Sequence, residues 1–162
     1  MGDIIKPVKI CGIKSCETTN AFFDTGSPYS LISRELAEKI GIGITKFVKI
    51  FKGLKDKETT LEDLKKMSPK EREKIISREA IAENIIIKTK EKECKRPMAK
   101  IYIEPIKHMR GTDLIVGKDI MQDLGLIIDM KKEDITYCEP KQEIFPIFTA
   151  SNRINIEEVM KQ

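Results

Sequence analysis

Apolar residues fall in short runs along this chain, and a glycine or a polar cluster ends most of them. Ile4, Ile5, Val8, Ile10 and Ile13 predict an extended N-terminal segment. Gly12 and the polar run from Lys14 to Asn20 predict the turn of a hairpin. Ala21-Phe22-Phe23 is a short apolar strand that leads directly into Asp24-Thr25-Gly26-Ser27-Pro28, and Tyr29 to Ile32 read as extended again. Ser33 suits the N-cap of a helix over 34–40, which Gly41 and Gly43 stop. Ile44, Phe47, Val48, Ile50 and Phe51 predict a strand ending at Gly53.

The pattern then changes. Leu61, Leu64 and Met67 recur at helical spacing, and Ser68-Pro69-Lys70-Glu71 reads as a capping box with proline at the first helical position. A helix from about Pro69 to Glu83 is predicted. Strands return at 85–87 and 98–103, around a charged turn at 90–95. Asp113 to Val116 form an apolar strand ended by Gly117, a short helix over 119–124 is closed by Gly125, and two strands follow over 126–129 and 135–138. The tail holds an apolar knot, Ile144-Phe145-Pro146-Ile147-Phe148. Turn signals every 8–12 residues or so argue for an all-β fold, a small closed barrel or sandwich with short helices and a helical insertion over 58–84. The domain is taken as 1–140, with 141–162 as a C-terminal tail.

Length and composition narrow the classes. At 162 residues and 40% hydrophobic, the chain has matter for one core. No apolar run of about 18 residues exists, so no membrane span is expected. The first seven residues lack the apolar stretch of a signal peptide, and a cytoplasmic location is expected. Residues 52–96 hold 14 Lys and Arg against 10 Asp and Glu, which accounts for the whole net charge of +4. The two signs are interleaved, which suits solvated helix faces and not a nucleic-acid surface. Abundant Lys, Glu and Ile with few thermolabile amides is a thermophile's bias, although an AT-rich genome produces the same Lys and Ile excess. Cys11, Cys16, Cys94 and Cys138 lack two close pairs for zinc, and with no mark of secretion they are expected to be buried or half-buried free thiols. No metal or cofactor is expected.

The chemistry points to one place. An aspartate set directly after an apolar strand, at a tight turn, is partly desolvated, and burial raises a carboxyl pKa. Thr25 can brace the turn, Gly26 lets the backbone come close to a ligand, and Ser27 can donate to the ionised acid. His108 has no Ser-His-Asp or Cys-His context, and Gly41-Ile42-Gly43 follows a helix where a phosphate loop would precede one.

Phe22-Phe23-Asp24-Thr25-Gly26-Ser27, with Leu114-Ile115-Val116-Gly117 and a short helix beyond it, resembles the retropepsin-like aspartic proteases over about residues 4–138. The resemblance implies a small closed barrel in which Ile115, Val116 and Gly117 pack on the Asp24 loop. It also implies a flap over the site, for which Gly53 is the candidate tip. The chain departs from the retroviral pattern after each motif. Those members pair an arginine after the second-motif glycine with an aspartate two positions past Asp-Thr-Gly. Lys118 and Pro28 stand here instead, so that ion pair cannot form.

Peptide hydrolysis by this chemistry needs two carboxylates about 3 Å apart sharing one proton. Only one Asp-Thr-Gly is present, and Asp113, Asp119, Asp123 and Asp129 are followed by neither Thr-Gly nor Ser-Gly. The second aspartate must then come from another copy across a two-fold axis. The expected activity is that of a homodimeric aspartic endopeptidase acting on an extended peptide or protein. The alternative is a catalytically silent module of the same fold for dimerisation or peptide binding.

Overall fold

The first hairpin sets the pattern for the rest of the barrel. In the computed structural model, which describes residues 4–50, 61–90, 92–105, 111–137 and 154–160, β1 (Ile4–Cys11) and β2 (Cys16–Phe23) pair antiparallel in unbroken register, from Ile4 opposite Phe23 to Cys11 opposite Cys16. Ile4, Val8 and Ile10 turn inward while Ile5, Pro7 and Lys9 face out, the period-2 alternation of a half-buried strand. Residues 17–20, expected within the turn, belong to β2. Pairing along the whole of β1 overrides their polarity, and the loop shrinks to residues 12–15.

That register corrects the reading of the cysteines. Cys11 and Cys16 face each other at the end of the ladder, with Cα atoms 4.0 Å apart, and form a disulfide. Directly opposed residues in such a ladder lie within disulfide reach. Cys94 is also disulfide-bonded, so none of these three is the free thiol expected from the sequence.

Six strands close the barrel. β2 pairs parallel with β7 (Leu114–Val116), and β7 pairs antiparallel with β3 (Leu31–Ile32). β3 then pairs parallel with β6 (Glu93–Ile103), and β6 antiparallel with β5 (Ile76–Lys88). The circle closes where Ile85, Ile86 and Ile87 of β5 pair with Ile10, Lys9 and Val8 of β1. Phe23, Ile32, Ile85, Ile101 and Leu114 fill the interior, and Ala80, Ala82 and Ala99 leave room for them. β8 (Ile127–Asp129) and β9 (Asp134–Tyr137) form a separate antiparallel pair.

Helix α1 (Arg34–Ile40) forms as its caps dictate. The Ser33 hydroxyl accepts the Leu36 amide, and Gly41 takes the left-handed conformation (φ 64°) that ends the helix. The β1–β2 loop then covers the helix end. The Ile13 amide donates to Gly41 O and the Lys14 amide to Ile40 O, both at 2.9 Å. These bonds satisfy carbonyls that a helix C-terminus leaves without partners.

β5 is longer than the barrel needs. Its first half, from Ile76, also pairs on its other edge with β4 (Gly43–Ile50), which with the elements it carries makes up an arm. Between β4 and β5 lie α2 (Leu61–Lys66) and α3 (Pro69–Glu73). The capping box is present, with reciprocal Ser68 and Glu71 bonds. The helix predicted to Glu83 stops at Glu73, because β4 and β6 both offer ladders to the chain from Ile76 onward. Buried Ser77, Glu79 and Ala82 then alternate with half-buried Ile76, Arg78 and Ile81. The tail returns as β10 (Ile154–Asn155), on the outer edge of β4, and α5 (Ile156–Met160). Val48, Leu64 and Val159 form a small second core there, joined by Met67, Ile75 and Ile156. Gly53, the 140/141 boundary and the apolar knot at 144–148 lie outside the described residues.

Candidate active site

Two parallel strands, β2 and β7, deliver the two motifs side by side. Phe22 lies opposite Ile115 and Phe23 opposite Val116. The ladder continues one residue further, where the Asp24 amide donates to Val116 O at 3.0 Å. Asp24 therefore leaves the strand in a fixed direction, half-buried.

The turn after it is tightly bonded. The Gly26 amide donates to Asp24 Oδ1 at 2.9 Å and the Ser27 amide to Asp24 O at 3.1 Å. The Ser27 hydroxyl, expected to donate to the acid, donates to Tyr29 O at 2.7 Å and so braces the loop from its far side. Thr25 and Gly26 are exposed. Among the described residues the Gly26 bond is the one side-chain hydrogen bond of Asp24.

Gly117 is where the second motif meets this loop. A Cβ there would lie 2.5 Å from Tyr29 O and 2.7 Å from Ser27 O, both backbone atoms that cannot step aside. Only glycine allows the contact. The Lys118 amide then donates to Ser27 O at 2.8 Å. Asp24, Thr25, Gly26 and Ser27 thus share one bonded unit with Val116 and Gly117. Ile115 sits between Phe22 and Leu31, its partners on either side.

Sequence reasoning missed most of the second tie. The Ser30 hydroxyl donates to Asp119 Oδ1 at 2.6 Å and the Ser30 amide to Asp119 Oδ2 at 3.1 Å. The same hydroxyl accepts the Gly117 amide at 2.9 Å. Asp119 stands in the first turn of α4 (Lys118–Asp123) and also accepts the Ile120 amide. Burial pushes its carboxyl above the usual aspartate value, against the opposing pull of these hydrogen bonds and of the Lys100 charge. With Lys118 and Pro28 unable to pair, Ser30 and Asp119 fasten the two motifs together. The available signal was a serine beside the apolar Leu31-Ile32 pair, a fully buried place where a hydroxyl must find a polar partner. A similar bond joins Ser33 to Asp113 on the other side of β7, at 2.7 Å.

The arm reaches this loop through Lys49 of β4. Its ammonium lies 3.3 Å from the centre of the Tyr29 ring, and Tyr29 meets Tyr102 edge-on at 5.5 Å. Among the described residues no three His, Cys, Asp or Glu side chains converge as a metal site would require.

No protein-family model and no curated protein matches the chain. Solved structures do. A retropepsin-like aspartic protease from Rickettsia conorii matches 82% of this chain and 80% of its own, with a TM-score of 0.51 and 12% identity. The retroviral protease-like domain of Ddi1 from Leishmania major aligns over 89% of this chain and 99% of its own, with a TM-score of 0.44 and 14% identity. The first likeness concerns the fold, and the barrel described above is of the retropepsin-like type.

Proposed function

We propose that the protein is an aspartic endopeptidase that cleaves extended peptides or proteins, with Asp24 from each of two copies forming the catalytic dyad. The observation that carries the reading is Asp24 itself. It is a half-buried carboxylate at the mouth of a retropepsin-type barrel, with one oxygen held by the Gly26 amide.

Two aspartates brought together across a two-fold axis share a proton. The ionised one takes a proton from a bound water as the water oxygen attacks the peptide carbonyl. The protonated one donates to the carbonyl oxygen, giving a tetrahedral diol. The diol then collapses, a proton passes to the amide nitrogen, and the C–N bond breaks. The dyad titrates as a unit, so the pH profile is bell-shaped and reports two apparent values of the pair. Thr25, Gly26 and Ser27 hold the loop, and Ile115, Val116 and Gly117 buttress it. Gly53, in the connection between β4 and α2, is the proposed flap tip.

The setting we propose is the cytoplasm of a heat-loving organism. Disulfides such as Cys11–Cys16 are rare in mesophile cytosol but common inside hyperthermophiles. A melting temperature in the mesophile range, about 45–65 °C, would count against that setting.

The test is peptide cleavage by wild-type chain and by Asp24→Asn, with the oligomeric state followed alongside. Wild-type activity should fall on dilution as the dimer dissociates. Mixed dimers with Asp24→Asn chains should be inactive. Full activity in Asp24→Asn, or in a stable monomer, overturns the reading. A folded wild-type dimer that cleaves nothing points to the silent module.

A further inference from the structure

A groove lies where the arm leaves the barrel, and no residue of the Asp24 loop or of the Gly117 motif lines it. One lobe, about 500 Å³, is walled by α1, the start of β4, β5 and the end of β6. A second lobe of about 330 Å³ adjoins it and is walled by α3, β5 and α5. The two share Arg34, Ile76 and Arg78, so both guanidinium groups stand at the waist. The combined size is that of a small-molecule site.

The arginines have spare donors. Arg34 donates its Nε hydrogen to Glu104 O at 3.3 Å, and Arg78 donates from Nη2 to Thr45 O at 3.1 Å. Both acceptors are neutral carbonyls. The Nε of Arg78 is buried and has no hydrogen-bond partner. Among the described residues neither side chain forms an ion pair. Two arginines that line both lobes, each bonded to a neutral carbonyl and with further N–H donors to give, suit a carboxylate ligand.

The rest of the wall defines that anion. Lys14, Arg34 and Arg78 share the wall of the larger lobe with Glu38 and Glu104. Carboxylates in the wall disfavour a dianion such as phosphate, so a monoanion suits the arginines better. Ile44, Ile76 and Ile103 supply aliphatic surface. Ile44 is 55% exposed at the rim, a large apolar side chain left open to solvent.

We propose that this groove binds an aliphatic monocarboxylate, with the carboxylate across Arg34 and Arg78 and the hydrocarbon along the isoleucines. The carboxylate belongs either to a free acid or to the end of an apolar peptide, and the experiment separates the two. It uses calorimetric titration of the full chain with octanoate, 1-octanol, inorganic phosphate, and acetyl-Leu-Leu-Leu as its free acid and as its amide.

Octanoate should bind at least about tenfold more tightly than octanol, and phosphate should not compete. Peptide acid binding above peptide amide assigns the site to chain ends as well as free acids. Arg34→Gln and Arg78→Gln should each weaken octanoate by about tenfold. Ile44→Glu, a rim substitution that leaves the barrel intact, should weaken it similarly while the melting temperature holds. The proposal fails if octanoate and octanol bind equally, if octanoate gives no heat at about 10 mM, or if the double Arg34→Gln/Arg78→Gln variant binds octanoate as the wild type does.

Discussion

The barrel and the arm are built from the same strand, β5, yet they are held together in opposite ways. The barrel closes six strands on one core, and the Asp24 loop is bonded to the neighbouring motif at both its ends. Among the described residues the arm rests on a core of three buried apolar side chains, Val48, Leu64 and Val159. Its helices are a turn or two long, below the length at which a helix is stable by itself. The difference places precision at one end of β5 and compliance at the other. The proposed dyad, in which one Asp24 carboxylate meets its twin, would need the first. The proposed flap, with Gly53 at its tip, would need the second.

The largest effect should come from within the rigid part and leave its rigidity untouched. Asp24→Asn should reduce peptide cleavage by at least about 10²–10⁴-fold, the usual contribution of general-base catalysis, with no drop in melting temperature. Loss of activity accompanied by unfolding would mean that Asp24 serves structure.

Next comes the arm. Leu64→Ala removes a fully buried side chain, a change worth about 2–5 kcal/mol in a well-packed core. If the arm is a separate cooperative unit, hydrogen exchange should rise in α2 and α3 while β1, β2 and β7 keep their protection. Uniform loss of protection would make the two regions one unit and break the comparison.

Gly117→Ala should act in the reverse sense. Its Cβ would press on two backbone oxygens, and overpacking of this kind costs about 1–3 kcal/mol. The melting temperature should fall by several degrees, with exchange increased around β2 and β7 and not in the arm.

The smallest effect is a slope. The Asp119 carboxyl is raised in the folded state, so the fold binds its proton more tightly than the unfolded chain does. Stability from this group is therefore present at acid pH and lost as pH rises from the ordinary aspartate range through the raised value. Asp119→Asn should flatten that part of the curve of melting temperature against pH. An unchanged slope would remove Asp119 as its source.

What could be read in advance follows from how local each feature is. Helix α1 was legible to the residue, because Ser33 and Gly41 act on neighbours within one turn. The pairing of the two motifs was legible through the resemblance carried by Asp24-Thr25-Gly26 and Gly117. The helix predicted to Glu83 was not, since β4 and β6 decide the fate of 76–83 and lie far away in the chain. Glu17 to Asn20 misled for the same reason: a polar strand on a barrel's outer face looks like a turn until its partner is known. Cys11 and Cys16 were judged on compartment, when the hairpin register already set them face to face. Ser30 and Asp119, 89 residues apart, had no local signal strong enough to pair them.

A strand edge that is not paired is a template for any other extended chain. Closing the barrel hides the edges of its strands, but β4 carries its own outward. Among the described residues β10 covers Val48 and Phe47 of it, through Ile154 and Asn155. Among the described residues no strand pairs with the outer edge of Gly43–Lys46, beside exposed Ile44. Lys46 is the charge that discourages another chain from docking there. Trimming the chain before Ile154 would bare the rest of β4, and the protein that resulted should be prone to self-association into growing sheets.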